Sequence, residues 1–164
     1  AVASDYLLHK NLVTKILVID LDVHQGNGTA KLMENEPRVF TFSMHGKNNY
    51  PFHKEQSDLD IPLPDGISGQ EYLEILEKTL PMLLETVQPN FIFYLSGVDI
   101  LSTDKFGKFN ISIDECKRRD EMVLTMAYDN KIPIAIAMGG GYSPDINDIL
   151  QAHCNTFRLA ANLF

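Results

Sequence analysis

Apolar and polar positions change period several times along this chain. Residues 15–19, 39–43, 91–96 and 132–138 are short, nearly unbroken apolar runs. They are rich in β-branched and aromatic side chains, as strands covered on both faces are. Between them, apolar residues recur every three or four positions, the period of a helix with one buried stripe. Residues 1–10 show this pattern, with Val2, Tyr6 and Leu7 on one face and Asn11 ending it. A short helix is expected to open at Asn27-Gly28 and stop before Pro37. Ser68 and Glu71 form a capping box ahead of a helix carrying Tyr72, Ile75, Leu76 and Leu83, with a kink expected at Pro81. Ser112 and Glu115 form a second box, whose helix runs to about Asn130, and a last helix is expected over 144–164. Residues 47–64, broken by prolines, read as one irregular loop, and 101–111 as another; long loops in compact domains are often functional. Four strands alternating with helices predict a parallel sheet with helices on both faces, a three-layer α/β/α architecture in one domain over residues 1–164.

Ligands of such sheets bind outside the carboxyl ends of the strands, and here all four expected strands end in unusual chemistry. Asp20, Asp22 and His24 alternate at the end of the first, so an extended backbone aims them to one side. Two carboxylates and an imidazole in one small volume call for a cation, and carboxylate oxygen and imidazole nitrogen both suit zinc. Taken alone, Asp-x-His at a strand end is more often a hydrogen-bonded turn. The second strand ends at Ser43, Met44 and His45, the third at Asp99, and the fourth at Gly139, Gly140, Gly141 and Tyr142. Asp99 reads either as a turn residue or as a third ligand; two Asp and one His would leave zinc an open position, as catalytic sites do. Tyr142 is either a packed ring or a phenol placed to donate to a developing oxyanion. His45 is a candidate ligand, base or core group, and Ser43 a strand-end hydroxyl. The three glycines lack the spacing or the Lys-Ser/Thr of a phosphate loop.

Composition narrows this picture. The 164 residues are 45% hydrophobic, enough for a core, and carry a net charge of -8. Nothing forms a basic stripe, so direct nucleic-acid binding is not expected. No apolar run is long enough for a membrane span. The two cysteines, Cys116 and Cys154, lie in helical patterns without a CxxC, which predicts reduced thiols and a cytoplasmic setting.

The segments IDLDVHQGNGTA, FSMHG, SGVDILSTDKFG and MGGGYS, in this order and spacing, resemble the zinc-dependent histone deacetylase family, closest to its bacterial and class IV branches. The resemblance covers nearly the whole chain. It implies an arginase/deacetylase-like fold and hydrolysis of an acetylated amine, of acetyl-lysine or acetylpolyamine type. It further implies Asp22, His24 and Asp99 as ligands of Zn2+ or Fe2+, and Tyr142 as the residue that stabilises the oxyanion. A structural K+ would be held by Asp20, Asp22, His24, Ser43 and the Met44 carbonyl, which makes Asp20 a ligand of that ion instead of zinc. Gly140, Gly141, Asn27 and His45 are the substrate-pocket candidates. In the family, a tandem His-His pair upstream of the Asp-x-His strand supplies the base, and this sequence contains no His-His. The chain is therefore expected to represent the C-terminal part of a deacetylase domain, truncated at its N-terminus, inactive or weakly active alone, and prone to self-association or to pairing with an N-terminal half. The alternatives are a non-catalytic fragment or interaction module, and a two-manganese ureohydrolase, which needs more Asp and His ligands than these strand ends offer.

Overall fold

A computed structural model describes all 164 residues. Its elements are α1 (Val2–His9), β1 (Ile16–Asp20), α2 (Asn27–Met33), β2 (Val39–Gly46), β3 (Leu59–Leu63), α3 (Gly69–Val87), β4 (Phe91–Gly97), α4 (Ile113–Asp129), β5 (Ile134–Gly139) and α5 (Ile146–Leu163). The strands form one sheet in the order β3-β2-β1-β4-β5, with every neighbouring pair parallel. All carboxyl ends therefore lie along one rim.

β1 occupies the centre, and all five of its residues are buried. Its alternation separates two apolar layers. Leu17 and Ile19 join the main core with Tyr72, Leu76 and Leu83 of α3, Cys116 and Val123 of α4, and Ala152 of α5. Ile16 and Val18 face the other way and meet Leu8 of α1, Val39, and partly buried Leu7, Val13 and Met33. Both expected capping boxes form, with the Ser68 and Ser112 hydroxyls accepting from the Glu71 and Glu115 amides. Asp145 caps α5 by accepting from the Asn147 amide at 2.9 Å.

The structure differs from the sequence expectation in three places. The stretch 47–64 is not wholly irregular, because Leu59–Leu63 forms β3 at the sheet edge, where Pro62 costs no central ladder bond. α3 runs unbroken through Pro81. On α1 the buried residues are Ser4 and Leu8, whereas Val2 and Tyr6 face solvent.

Coverage of the sheet is uneven. On the α1/α2 side the β4 residues Phe91, Phe93 and Leu95 are only partly buried. β5 pairs with β4 alone, so its outer backbone edge is free. Its Met138 is 56% exposed, and Ile146, Leu150 and Phe157 form an exposed apolar stripe along α5. No helix is long and apolar enough to cross a membrane.

Candidate metal centre

β1 ends its ladder at Asp20, and the chain then bends across the rim. Asp20 and Asp22 each accept from the backbone amide two residues on, Asp22 N at 3.1 Å and His24 N at 2.8 Å. These local bonds hold the bend. β4 ends at Gly97, and Val98 leads to Asp99, whose Oδ1 accepts from Val23 N at 3.0 Å and so ties the two strand ends together. His24 Nδ1 then lies 3.1 Å from Asp22 Oδ1 and 3.0 Å from Asp99 Oδ2. The donor atoms of Asp22, His24 and Asp99 all fall within 4.8 Å of one another. Two carboxylate oxygens and one imidazole nitrogen converging this closely fit the donor chemistry of a zinc or iron ion. No second group of three metal-capable side chains converges this way.

The His24 pKa is pushed up to about 10, first by its hydrogen bond to Asp22 and then by Asp99. Burial drives the Asp99 carboxyl upward. Burial also acts on Asp22, but its bonds from the His24 ring and amide win, and its pKa falls. Asp20 is more deeply buried, and desolvation pushes it up to about 8. Glycine is required beside these acids. A Cβ on Gly97 would lie 2.6 Å from Asp22 Cα, and one on Gly140, where φ is +63°, would lie 2.4 Å from Asp99 Cγ.

Asp22, His24 and Asp99 lie in an open cavity of about 600 Å3, which is also lined by Asn48, Asn49, Tyr50, Phe52, Phe106, Lys108, Gly140 and Tyr142. The Tyr142 ring meets Phe106 edge-on at 5.1 Å between centroids. Of the other substrate-pocket candidates, Gly140 lines this cavity and Gly141, Asn27 and His45 do not. A Cβ on Gly141 would meet Ile149 and Val98, and Asn27 opens α2. His45 is 1% exposed and sits 3.0 Å from Ser43 Oγ, so it belongs to the interior beside β2. Ser43 is the register partner of Asp20, and Met44 is fully buried next to it. A buried, uncompensated Asp20 beside a hydroxyl-bearing strand suits a monovalent cation.

Sequence reasoning missed three residues that build this site. Asp104 accepts from Phe106 N and Gly107 N at 2.8 and 2.9 Å through Oδ1, and from Tyr142 N at 2.6 Å through Oδ2. It thereby joins the loop after β4 to the glycine loop after β5. Its signal was Asp-x-x-Gly, an Asx-turn pattern. Gln25 pins the β2–β3 loop: its side chain donates to the Glu55 carbonyl at 2.7 Å and accepts from Glu55 N at 2.9 Å. Arg119 lies buried beneath the strand ends, and no local pattern announced it.

Comparison with known proteins places the chain in a family. The chain is 40% identical over its whole length to an uncharacterized protein of Picosynechococcus, covering 55% of it. It is 33% identical over 133 residues to histone deacetylase 2 of Arabidopsis thaliana, covering 79% of this chain and 34% of that one. An HDAC homologue from Aquifex aeolicus superposes with a TM-score of 0.81 at 26% identity, over 98% of this chain and 45% of that one. The acetylpolyamine aminohydrolase of Burkholderia pseudomallei shares the fold, with a TM-score of 0.78 at 20% identity over 94% of this chain and 47% of that one. The chain thus spans about half the length of the relatives it matches, or less. A histone deacetylase domain model matches residues 1–157, and the chain belongs to the histone deacetylase family.

Proposed function

We propose that this chain supplies the metal-binding and oxyanion-stabilising part of a deacetylase acting on an acetylated amine. The observation that carries this reading is the convergence of Asp22, His24 and Asp99 in a cavity that Tyr142 also lines. The three residues would hold Zn2+ or Fe2+ with their two carboxylates and one imidazole. When bound, such an ion would supply Lewis acidity at the acetyl carbonyl and at a water. Tyr142 donates its phenol hydrogen to the carbonyl oxygen as negative charge builds there. Phe106 meets the Tyr142 ring by edge contact, and Phe52 and Tyr50 also line the cavity. Asp20, Ser43 and the Met44 carbonyl, with Asp22 and His24, form the cradle for K+.

The base is the weak point of the chain on its own. His24 is the one imidazole lining the cavity, and its Nδ1 faces the two carboxylates. No free imidazole is available there to take a proton from water. The isolated chain therefore binds zinc but hydrolyses acetyl-lysine little or not at all. Equilibrium dialysis is expected to give one zinc per chain, with affinity lowered more than about 100-fold by Asp99→Asn, beyond the usual cost of losing an outer-shell partner. Absence of zinc binding by the unaltered chain refutes the metal reading. Turnover of a fluorogenic acetyl-lysine peptide at the rate of a full-length deacetylase refutes the inactivity.

A second reading, in which the chain works only within an assembly, is favoured by the free edge of β5 and the partly covered Phe91, Phe93 and Leu95. On that reading the same metal cradle is completed by a partner.

A further inference from the structure

Arg119 of α4 is fully buried, its carbon at 5.9 Å from the Tyr94 ring centre. Its Nη1 donates to the Gly97 carbonyl at 2.6 Å and to the Leu21 carbonyl at 3.2 Å. Leu21 immediately precedes Asp22, and Gly97 stands two residues before Asp99. These carbonyls lie where β1 and β4 leave their shared ladder, whose last register pair is Asp20 with Leu95. A buried strand-end carbonyl needs a donor, and a single guanidinium nitrogen supplies both. The opposite side of the guanidinium is fixed by Asp120: Nε lies 2.9 Å and Nη2 2.8 Å from Oδ1. Asp120 is itself held by the hydroxyls of Tyr94 and, at 2.6 Å, Thr156. The main chains that carry two separated acids are therefore bridged by one planar group, clamped from α4 and α5.

We infer that Arg119 is a positioning residue that sets the separation of Asp22 and Asp99, and with it the geometry and affinity of the metal centre. The inference rests on the proposed metal reading. A single ammonium nitrogen cannot occupy the positions of Nη1 between the two carbonyls and of Nε and Nη2 on Asp120 together, so Arg119→Lys keeps the charge but loses the fixed two-carbonyl bridge. Losing an outer-shell support of this kind lowers metal affinity by about 10- to 100-fold.

The test uses Co2+ as probe on the 164-residue chain, reading the visible d–d absorption and the dissociation constant. Arg119→Lys and Arg119→Gln are expected to weaken Co2+ binding at least tenfold and to move the absorption maximum. Tyr94→Phe, which weakens the same buried network without touching either carbonyl bond, is expected to lower the melting temperature and leave the spectrum unchanged. If Arg119→Lys matches the unaltered chain in spectrum and affinity, or if Tyr94→Phe shifts the spectrum equally, the positioning role is wrong while the metal reading stands. If the unaltered chain gives no cobalt spectrum, the metal reading itself fails. Should both Arg119 variants fail to fold, Asp120→Asn carries the test. It releases the clamp on the guanidinium that bridges both carbonyls, so a shifted absorption maximum with weaker Co2+ binding supports the bridge and an unchanged spectrum and affinity overturn it.

Discussion

At the scale of single residues, proton binding at the strand ends gives the fold a pH dependence. His24 is raised from 6.5 to about 10, so the stability it contributes is complete below 6.5 and lost as pH rises through 10. Asp20 is raised from 3.8 to about 8, so its neutral form favours the fold at low pH, and that advantage is lost as pH rises through 8. For both groups the sign is the same, and the chelated chain should melt at progressively lower temperature between pH 7 and pH 10. Zinc requires a neutral imidazole and ionised carboxylates, so its binding should release protons and tighten as pH rises over this range. Calorimetry in two buffers of different ionisation enthalpy measures the release; an identical apparent enthalpy in both would contradict it. K+ should raise the melting temperature more at pH 8 than at pH 5, because it replaces the proton on Asp20, and equal shifts at both pH values would remove Asp20 from the cation cradle. Asp22 and His24 were legible in the sequence because short-range alternation carries them, and Asp99 because it follows the end of an apolar strand. Their exclusion of His45 was not, because only the register of β2 shows that its ring turns into the interior toward Ser43.

At the scale of elements, the site depends on loops whose anchors are backbone bonds to single carboxylates. Asp104 gathers three amides, two from its own loop and one from Tyr142. Hydrogen bonds to a charged acceptor contribute about 1.5–3 kcal/mol. Asp104→Ala should therefore lower the melting temperature by several degrees and speed amide hydrogen exchange at Tyr142, with the protection of β1 unchanged. Uniform loss of protection across the sheet would show that Asp104 supports the whole fold instead of the loop. Gly97→Ala is a separate case, because its Cβ would meet Asp22 backbone at 2.6 Å and nothing flexible can yield. Overpacking of this kind costs about 1–3 kcal/mol, and here the strain falls on a metal ligand. Zinc affinity should drop along with stability, and a variant that keeps full zinc affinity would show that the strand ends can part without consequence. Helices were the more legible elements, since Ser-x-x-Glu boxes mark their starts by a local hydrogen-bond exchange. β3 was hidden because a five-residue edge strand containing Pro62 has neither the length nor the donors of a central strand, and its partner β2 lies more than a dozen residues away.

At the scale of the whole molecule, the two faces of the sheet are unequal. The α3/α4/α5 side encloses a large core, whereas α1 and α2 cover only part of the other side, over β1 and β2. The alternation of runs and periodic stretches predicted helices on both faces, and the structure has them. How far each helix reaches across the sheet is a tertiary quantity that no local pattern encodes. A free parallel edge at β5, half-covered aromatic residues on β4 and an apolar stripe on α5 make a surface that soluble monomers seldom leave bare. The chain should therefore show a mass that rises with concentration in light scattering. Met138→Lys at the edge and Leu150→Glu on the stripe should together reduce that rise, since both side chains are more than half exposed and tolerate charge without disturbing the core. Neither residue touches the metal cavity, so zinc binding should be unaffected by the pair. A monomer of constant mass at every concentration would leave the β5 edge without a role in association, and the assembly reading would lose its support.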